Sequence, residues 1–165
     1  MKFFNTLNER NLFQQYAQVL DWILCDGKFE KSIWDNKNKI QAFTKALHKL
    51  DRFSTSRLHY GAKKNITFPA KGDYDQFEIP TLFMSKGESE ARDFVRHLRN
   101  GIAHGNVEVI DKGNELILEL LDYGKEENQE GGQTAYFVIP LQYLAEVFTL
   151  YCNKERQWRE KGRKH

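Results

Sequence analysis

Residues 89–123 read SEARDFVRHLRNGIAHGNVEVIDKGNELILELLDY, and the fold turns on where this stretch changes its period. Up to Gly105 the spacing is helical. At about 100° per residue, Phe94, Val95, Leu98 and Ile102 fall on one side and face a core. Glycine at 105 suits the position just past a helix end. The helix is expected to begin near Ser85 to Glu88. From Val107 the pattern is that of strands. VEVID and LILELLDY are β-type runs, and Lys112-Gly113-Asn114 between them is a hairpin turn signal.

Outward from this stretch, helical periodicity dominates. Leu12, Phe13, Tyr16, Val19, Leu20 and Ile23 place a first helix over about 5–24, with Asn5 or Thr6 as its cap, Glu9 completing a capping box with Thr6, and Asp26-Gly27 as its stop. A second helix is predicted over about 32–53, with Ser32 as its cap, Ile33, Ile40, Phe43, Leu47 and Leu50 as its stripe, and Trp34 near its start. Residues 54–86 hold Pro69, Pro80 and several glycines. They read as a long connection with a short helical turn around Ile79 to Met84. The aromatics Tyr60, Phe68, Tyr74, Phe77 and Phe83 imply that it packs down. After LILELLDY, GKEENQEGGQ reads as a polar loop and Thr134 to Ile139 as a third strand. Pro140 begins a last helix, with Leu141, Leu144, Ala145, Phe148 and Tyr151 as its apolar face and Trp158 as a possible extension. The expected fold is therefore mostly α. It is a helical bundle of about four to five helices, with a small antiparallel sheet inserted at about 106–139 before the last helix. Residues 1–165 are expected to form a single domain.

Composition supports a folded protein of the cytoplasm. The 165 residues are 40% hydrophobic and 29% charged, enough to bury a core without disulfide staples. Cys25 and Cys152 each sit in an apolar helical pattern and read as reduced core thiols. No stretch suits a signal peptide, and none approaches the roughly 20 apolar residues of a membrane span, so no membrane partner is expected. The net charge of +2 demands no nucleic acid by itself. It is uneven, however: Lys154, Arg156, Arg159, Lys161, Arg163 and Lys164 stand against only Glu155 and Glu160. Such a tail can grip phosphates, or simply complement a helix C-terminus.

The chemistry concentrates in His97 to Asn106. Arg99 and His104 are a minimal kit for cutting RNA without a metal: a guanidinium holds phosphorane charge and an imidazole moves protons near neutral pH. On the helix, Asp93, His97, Asn100 and His104 fall in one stripe opposite the apolar side. That stripe either faces solvent or lines a site. Arg99 stands roughly 140° around the helix from His104. One helix cannot easily aim both at one phosphate, but two copies about a twofold axis can. Asn100, one turn before His104, is placed to orient its imidazole or a phosphate. The glycine at 101 implies close packing or backbone approach. Asp93 and His97 have metal-ligand spacing, but His104 lies about 10 Å of rise beyond His97, so no metal is expected. His48, His59 and His165 are given no role.

Arg99-Asn100-Gly101-Ile102-Ala103-His104, late in a helical layout, resembles the R-N-x-x-x-H signature of the HEPN superfamily. Leu98 before the motif, the Ala-His-Gly-Asn ending and one closing helix fit as well, and the inserted sheet resembles some bacterial subfamilies. The resemblance implies a metal-independent endoribonuclease acting as a homodimer through the motif helix, in a toxin–antitoxin or phage-defence setting, with no cofactor. Arg99 and His104 would be the catalytic pair and Asn100 their polar helper. Asp93, which takes the place of an acidic residue common in the family, would contact the RNA substrate together with Arg96 and His97. The products would carry 2′,3′-cyclic phosphate and 5′-hydroxyl ends. A protein antitoxin is a possible partner. Members regulated by adenylylation often carry Tyr two residues after the His; Asn106 stands there, which speaks against that arrangement. The alternative is a non-catalytic HEPN module that binds RNA, a nucleotide or a protein.

Overall fold

In a computed structural model of the chain, the structure describes Gln14, residues 37–49, 58–113, 115–126 and 129–147, and Lys161. The predicted first helix apart from Gln14, the ends of the second, both cysteines, Trp34, Trp158 and the basic tail apart from Lys161 lie outside the described residues.

The described chain runs α1 (Lys37–Lys49), β1 (Leu58–Gly61), two short 3-10 turns (Lys63–Asn65 and Asp73–Gln76), β2 (Thr81–Ser85), α2 (Glu90–Ala103), β3 (Val107–Asp111), β4 (Leu116–Glu126) and β5 (Gln129–Pro140). Residues 141–147 are helical and are labelled α3. The strands form one mixed sheet in the order β1-β2-β5-β4-β3. Only β1–β2 is parallel; the other pairs are antiparallel.

This overturns the helical bundle with a small inserted sheet. The five-stranded sheet is the centre of the fold, and the inserted strands are three of its five. The connection over 54–86 supplies the missing two. Its turn around Ile79 to Met84 is instead β2, buried at every residue. A short apolar run next to a proline carries no period to separate strand from helix. GKEENQEGGQ is no separate loop either: β4 continues to Glu126 and β5 begins at Gln129, with Lys125 opposite Glu130 and Glu126 opposite Gln129. Pro140 closes β5 opposite Ile117, and α3 follows it. Ser85 ends β2, so α2 starts later than expected, at Glu90, with Ser89 as its N-cap.

Both faces of the sheet are covered, which explains why LILELLDY is apolar almost throughout. Toward α2 and α3 point Leu82, Met84, Leu118, Leu120, Phe137 and Ile139, packed on Phe94, Leu98, Leu144 and Val147. Phe94 stacks on Phe137 with ring centroids 5.3 Å apart. Each such side chain, fully buried, contributes about 1.5–3 kcal/mol. Toward the other face point Phe83, Ile117, Leu121, Tyr136 and Val138, covered by Ile66, Phe68, Tyr74, Phe77 and Ile79. The aromatics of the connection do pack down, as expected.

The topology positions the motif. α2 leaves β2 on one side of β5 and delivers the chain to β3 beyond β4, so the helix must cross the sheet. Gly101 lets it approach: a Cβ there would stand 2.5 Å from Leu120 Cγ.

Candidate active site on the α2 helix

The motif occupies the last turn and a half of α2, and its end is built by a Schellman cap. Gly105 adopts φ +70°. The Asn106 N–H donates to the Gly101 carbonyl (2.8 Å), and the Gly105 N–H donates to that of Ile102 (3.1 Å). His104 is the C-cap residue, its backbone N–H held by the Asn100 carbonyl at 2.9 Å. Asn106 is fixed in turn to β4, its carbonyl accepting from Leu121 N–H at 2.9 Å. The chain therefore leaves His104 in a defined direction.

The polar stripe divides into a buried part and an exposed part. Asp93 and His97 are 1% and 0% exposed, and Asn100 is half-buried; His104 is exposed, as are Arg96 and Arg99. Asp93 and His97 thus neither face solvent nor line an open cleft. They are spent on a polar network that ties α2 to the sheet.

Two carboxylates anchor that network. The His97 imidazole meets Asp122 of β4, Nδ1 to Oδ2 at 2.6 Å. The same Oδ2 accepts from Asn100 Nδ2 at 3.4 Å and from Thr134 Oγ1 at 3.3 Å. On the far side of the ring, Nε2 lies 3.2 Å from an Arg96 guanidinium nitrogen. Facing a carboxylate, Nδ1 carries its hydrogen and donates to Asp122, while Nε2 also lies 3.4 Å from the Ser85 carbonyl of β2. A register shift follows Asp122 directly. Such irregularities re-aim side chains near sites.

Asp93 is the second anchor. Its Oδ2 accepts from the Tyr60 hydroxyl and the Gly87 N–H, both at 2.7 Å. Its Oδ1 accepts from Arg96 at 3.0 Å and more weakly from the Glu88 N–H at 3.3 Å. Burial acts to raise the Asp93 carboxyl's pKa. The donors from Gly87, Tyr60, Glu88 and Arg96 outweigh it and hold the carboxyl below its usual range. Burial, then the Asp93 hydrogen bond and charge, push the Tyr60 phenol well above its ordinary value. Arg96 touches Asp93 and His97 with one nitrogen and so links the two anchors through the imidazole.

What remains outward is cationic. Arg92, Arg96, Arg99 and Ala103 recur at four, three and four residues, which is one line along the helix. Arg96, Arg99 and Ala103 are exposed and Arg92 is half-buried, paired with Glu88. His104, the next residue after Ala103, stands about 100° around the helix from this line. The surface offers guanidinium groups for phosphate oxygens and an imidazole for proton transfer.

The structure thus brings Arg96, Arg99 and His104 to the surface of one element and gathers Asp93, His97 and Asn100 beneath it. Asn100 directs its amide at Asp122 of β4. Sequence reasoning missed Asp122, Thr134 and Tyr60. Asp122 had a signal, since it is the acidic residue closing an apolar run. Tyr60 had none, because β1 was unrecognised.

Comparison with known proteins gives one match. The family described as HEPN pEK499 p136 matches residues 28–154. No curated protein and no solved structure matches the chain. The matched span takes in the whole described sheet, α2 and the R-N-x-x-x-H run, so the chain belongs to the HEPN pEK499 p136 family.

Proposed function

We propose that the protein is a metal-independent endoribonuclease of the HEPN type that works as a homodimer. One observation carries the reading. Of the motif's polar residues, Arg99 and His104 are exposed on α2, while a buried network beneath them fixes the helix. A histidine at a C-cap also suits the helix dipole, but exposed Arg99 within the same turn and a half adds the phosphate-binding half of the chemistry. Family membership points the same way, since HEPN domains are often ribonucleases.

In the proposed reaction a ribose 2′-hydroxyl attacks the adjacent phosphorus. His104 accepts the hydroxyl proton, and Arg99 stabilises the charge on the phosphorane oxygens. The bond to the 5′-oxygen breaks, and that oxygen takes a proton from a general acid. The products are a 2′,3′-cyclic phosphate and a 5′-hydroxyl. Arg96 and its neighbours on the exposed line hold flanking phosphates, whereas Asp93 and His97 act on substrate only through the helix they position. A toxin–antitoxin or phage-defence role, a protein antitoxin and a cytoplasmic location belong to this reading. Among the described residues no helix is long and apolar enough to cross a membrane.

The test is incubation of the purified protein with structured and unstructured RNA in EDTA, with end-group analysis of the fragments. Wild type is expected to leave cyclic phosphate ends, and His104→Ala to lose about 10²–10⁴-fold in rate. If wild type binds RNA but leaves it intact, the non-catalytic HEPN module is the correct reading.

A further inference from the structure

Among the described residues β1 is an edge strand of the sheet, and beside it lies a cleft of about 570 Å³. Its walls include His59 and Tyr60 of β1, Asn65 and Thr67 from the segment after it, and Phe83 of β2. The parallel register places His59 directly opposite Phe83. Their rings stack face to face, centroids 4.1 Å apart and 7° from parallel. Phe83 is 8% exposed and sits in the core of that sheet face, so it is a fixed base. His59 is exposed and lines the cleft, so its ring, backed by Phe83, offers the cleft a flat surface. Such a platform with polar groups at its margin suits a planar heteroaromatic ring. Asn65 and Thr67 are exposed at that margin and carry both donors and acceptors; exposed Lys64 in the adjoining 3-10 turn supplies a cation.

We infer that this cleft is a base-binding subsite for single-stranded RNA, in which a nucleobase stacks on His59, Asn65 meets its edge and Lys64 meets its phosphate. The inference rests on RNA being the substrate and adds where a flanking base is held. The cleft is linked to the motif helix through Tyr60, which lines it and donates its hydroxyl to Asp93. Along α2, Asp93 stands about 16 Å of rise from His104, a few nucleotides of strand. The stack of His59 on Phe83, absent any role for it in the motif, is the kind of sequence-tolerant surface that single strands use.

The experiment uses the full chain carrying His104→Ala, so that RNA survives, and short single-stranded RNAs containing 2-aminopurine. Anisotropy reads binding, and quenching of the analogue reads stacking. Quenching on binding is expected. His59→Ala is expected to abolish the quenching and weaken binding about tenfold, the loss of one stacked base. His59→Phe and His59→Trp should retain both, which separates stacking from charge and from damage to the fold. Asn65→Ala should flatten any preference among bases. If RNA binds with no quenching, or His59→Ala binds and quenches like its parent, the subsite is overturned while the RNA reading stands. If no RNA binds, both fall. If RNA binds and stacks but the unmutated protein never cuts it, the subsite stands and the nuclease reading falls.

Discussion

Asp93 joins three pieces of chain: Tyr60 of β1, the Gly87 and Glu88 amides ahead of α2, and Arg96 one turn on. The sequence places it in the polar helical stripe, and the family resemblance makes it a substrate contact. The stripe was legible, but its surroundings were not. A period of 3.6 says which residues share a face, and not whether the opposing element offers them water or donors. Four donors here replace water, and their net pull lowers the carboxyl's pKa below its ordinary 3.8. A group with a depressed folded pKa adds stability above its unfolded pKa and loses it as pH falls through the folded one. Asp93 is therefore expected to stabilise the fold at neutral pH and to help unfold it in acid. Asp93→Asn should melt lower than wild type at pH 7, and the gap should close as pH drops below about 4. Thermal melts across pH check this; a gap that stays constant would show that the charge of Asp93 is not what its donors recognise.

α2 and the β3–β4 hairpin were legible as elements because each has a clear period and a clear stop. Asp111 and Gly113 close the hairpin as the turn signal implied: Asp111 Oδ1 accepts the Gly113 N–H at 2.7 Å, and Gly113 has φ +83°. β1 and β2 were not legible. Four residues with the sequence LHYG, and five buried ones beside a proline with three apolar residues in a row, are too short to show alternation. The packing of α2 on the sheet was half legible, through Gly101. The structure names what that glycine meets, the Leu120 side chain at 2.5–2.9 Å from a modest added Cβ. Gly101→Ala is expected to gain in helix propensity, since glycine costs about 1 kcal/mol against alanine, and to lose about 1–3 kcal/mol by overpacking. Loss should win, because the Leu120 branch that would have to give is fully buried. Leu120→Ala alone should also destabilise, by about 2–5 kcal/mol from the cavity. The double variant should be more stable than the sum of the two predicts. Urea titrations of the four proteins measure that coupling. Simple additivity would place the helix–sheet contact elsewhere.

At the scale of the molecule, the sheet changes how the motif reads. In a helical bundle, α2 would be flanked by other helices around most of its girth. Here its inner face is committed to β2, β4 and β5, α1 also lies against it, and Leu98 and His97 are both 0% exposed, so the line of Arg96, Arg99 and Ala103 is what it presents outward. The spacing argument survives that change: Arg99 and His104 still stand about 140° apart around a straight helix. A second copy of the chain is the simplest source of the missing direction, since a twofold axis brings one patch against itself. That arrangement makes a distinctive prediction. Arg99→Ala and His104→Ala should each be inactive alone. Mixed, unfolded and refolded together in equal amounts, half of the dimers become heterodimers with one intact Arg99 facing one intact His104. Activity should then return to about a quarter of wild type. Sedimentation should show the dimer in every sample, so that recovery is not confused with assembly. A mixture as dead as its components, with dimers present, would place both residues of each site on the same chain and remove the reason for pairing them.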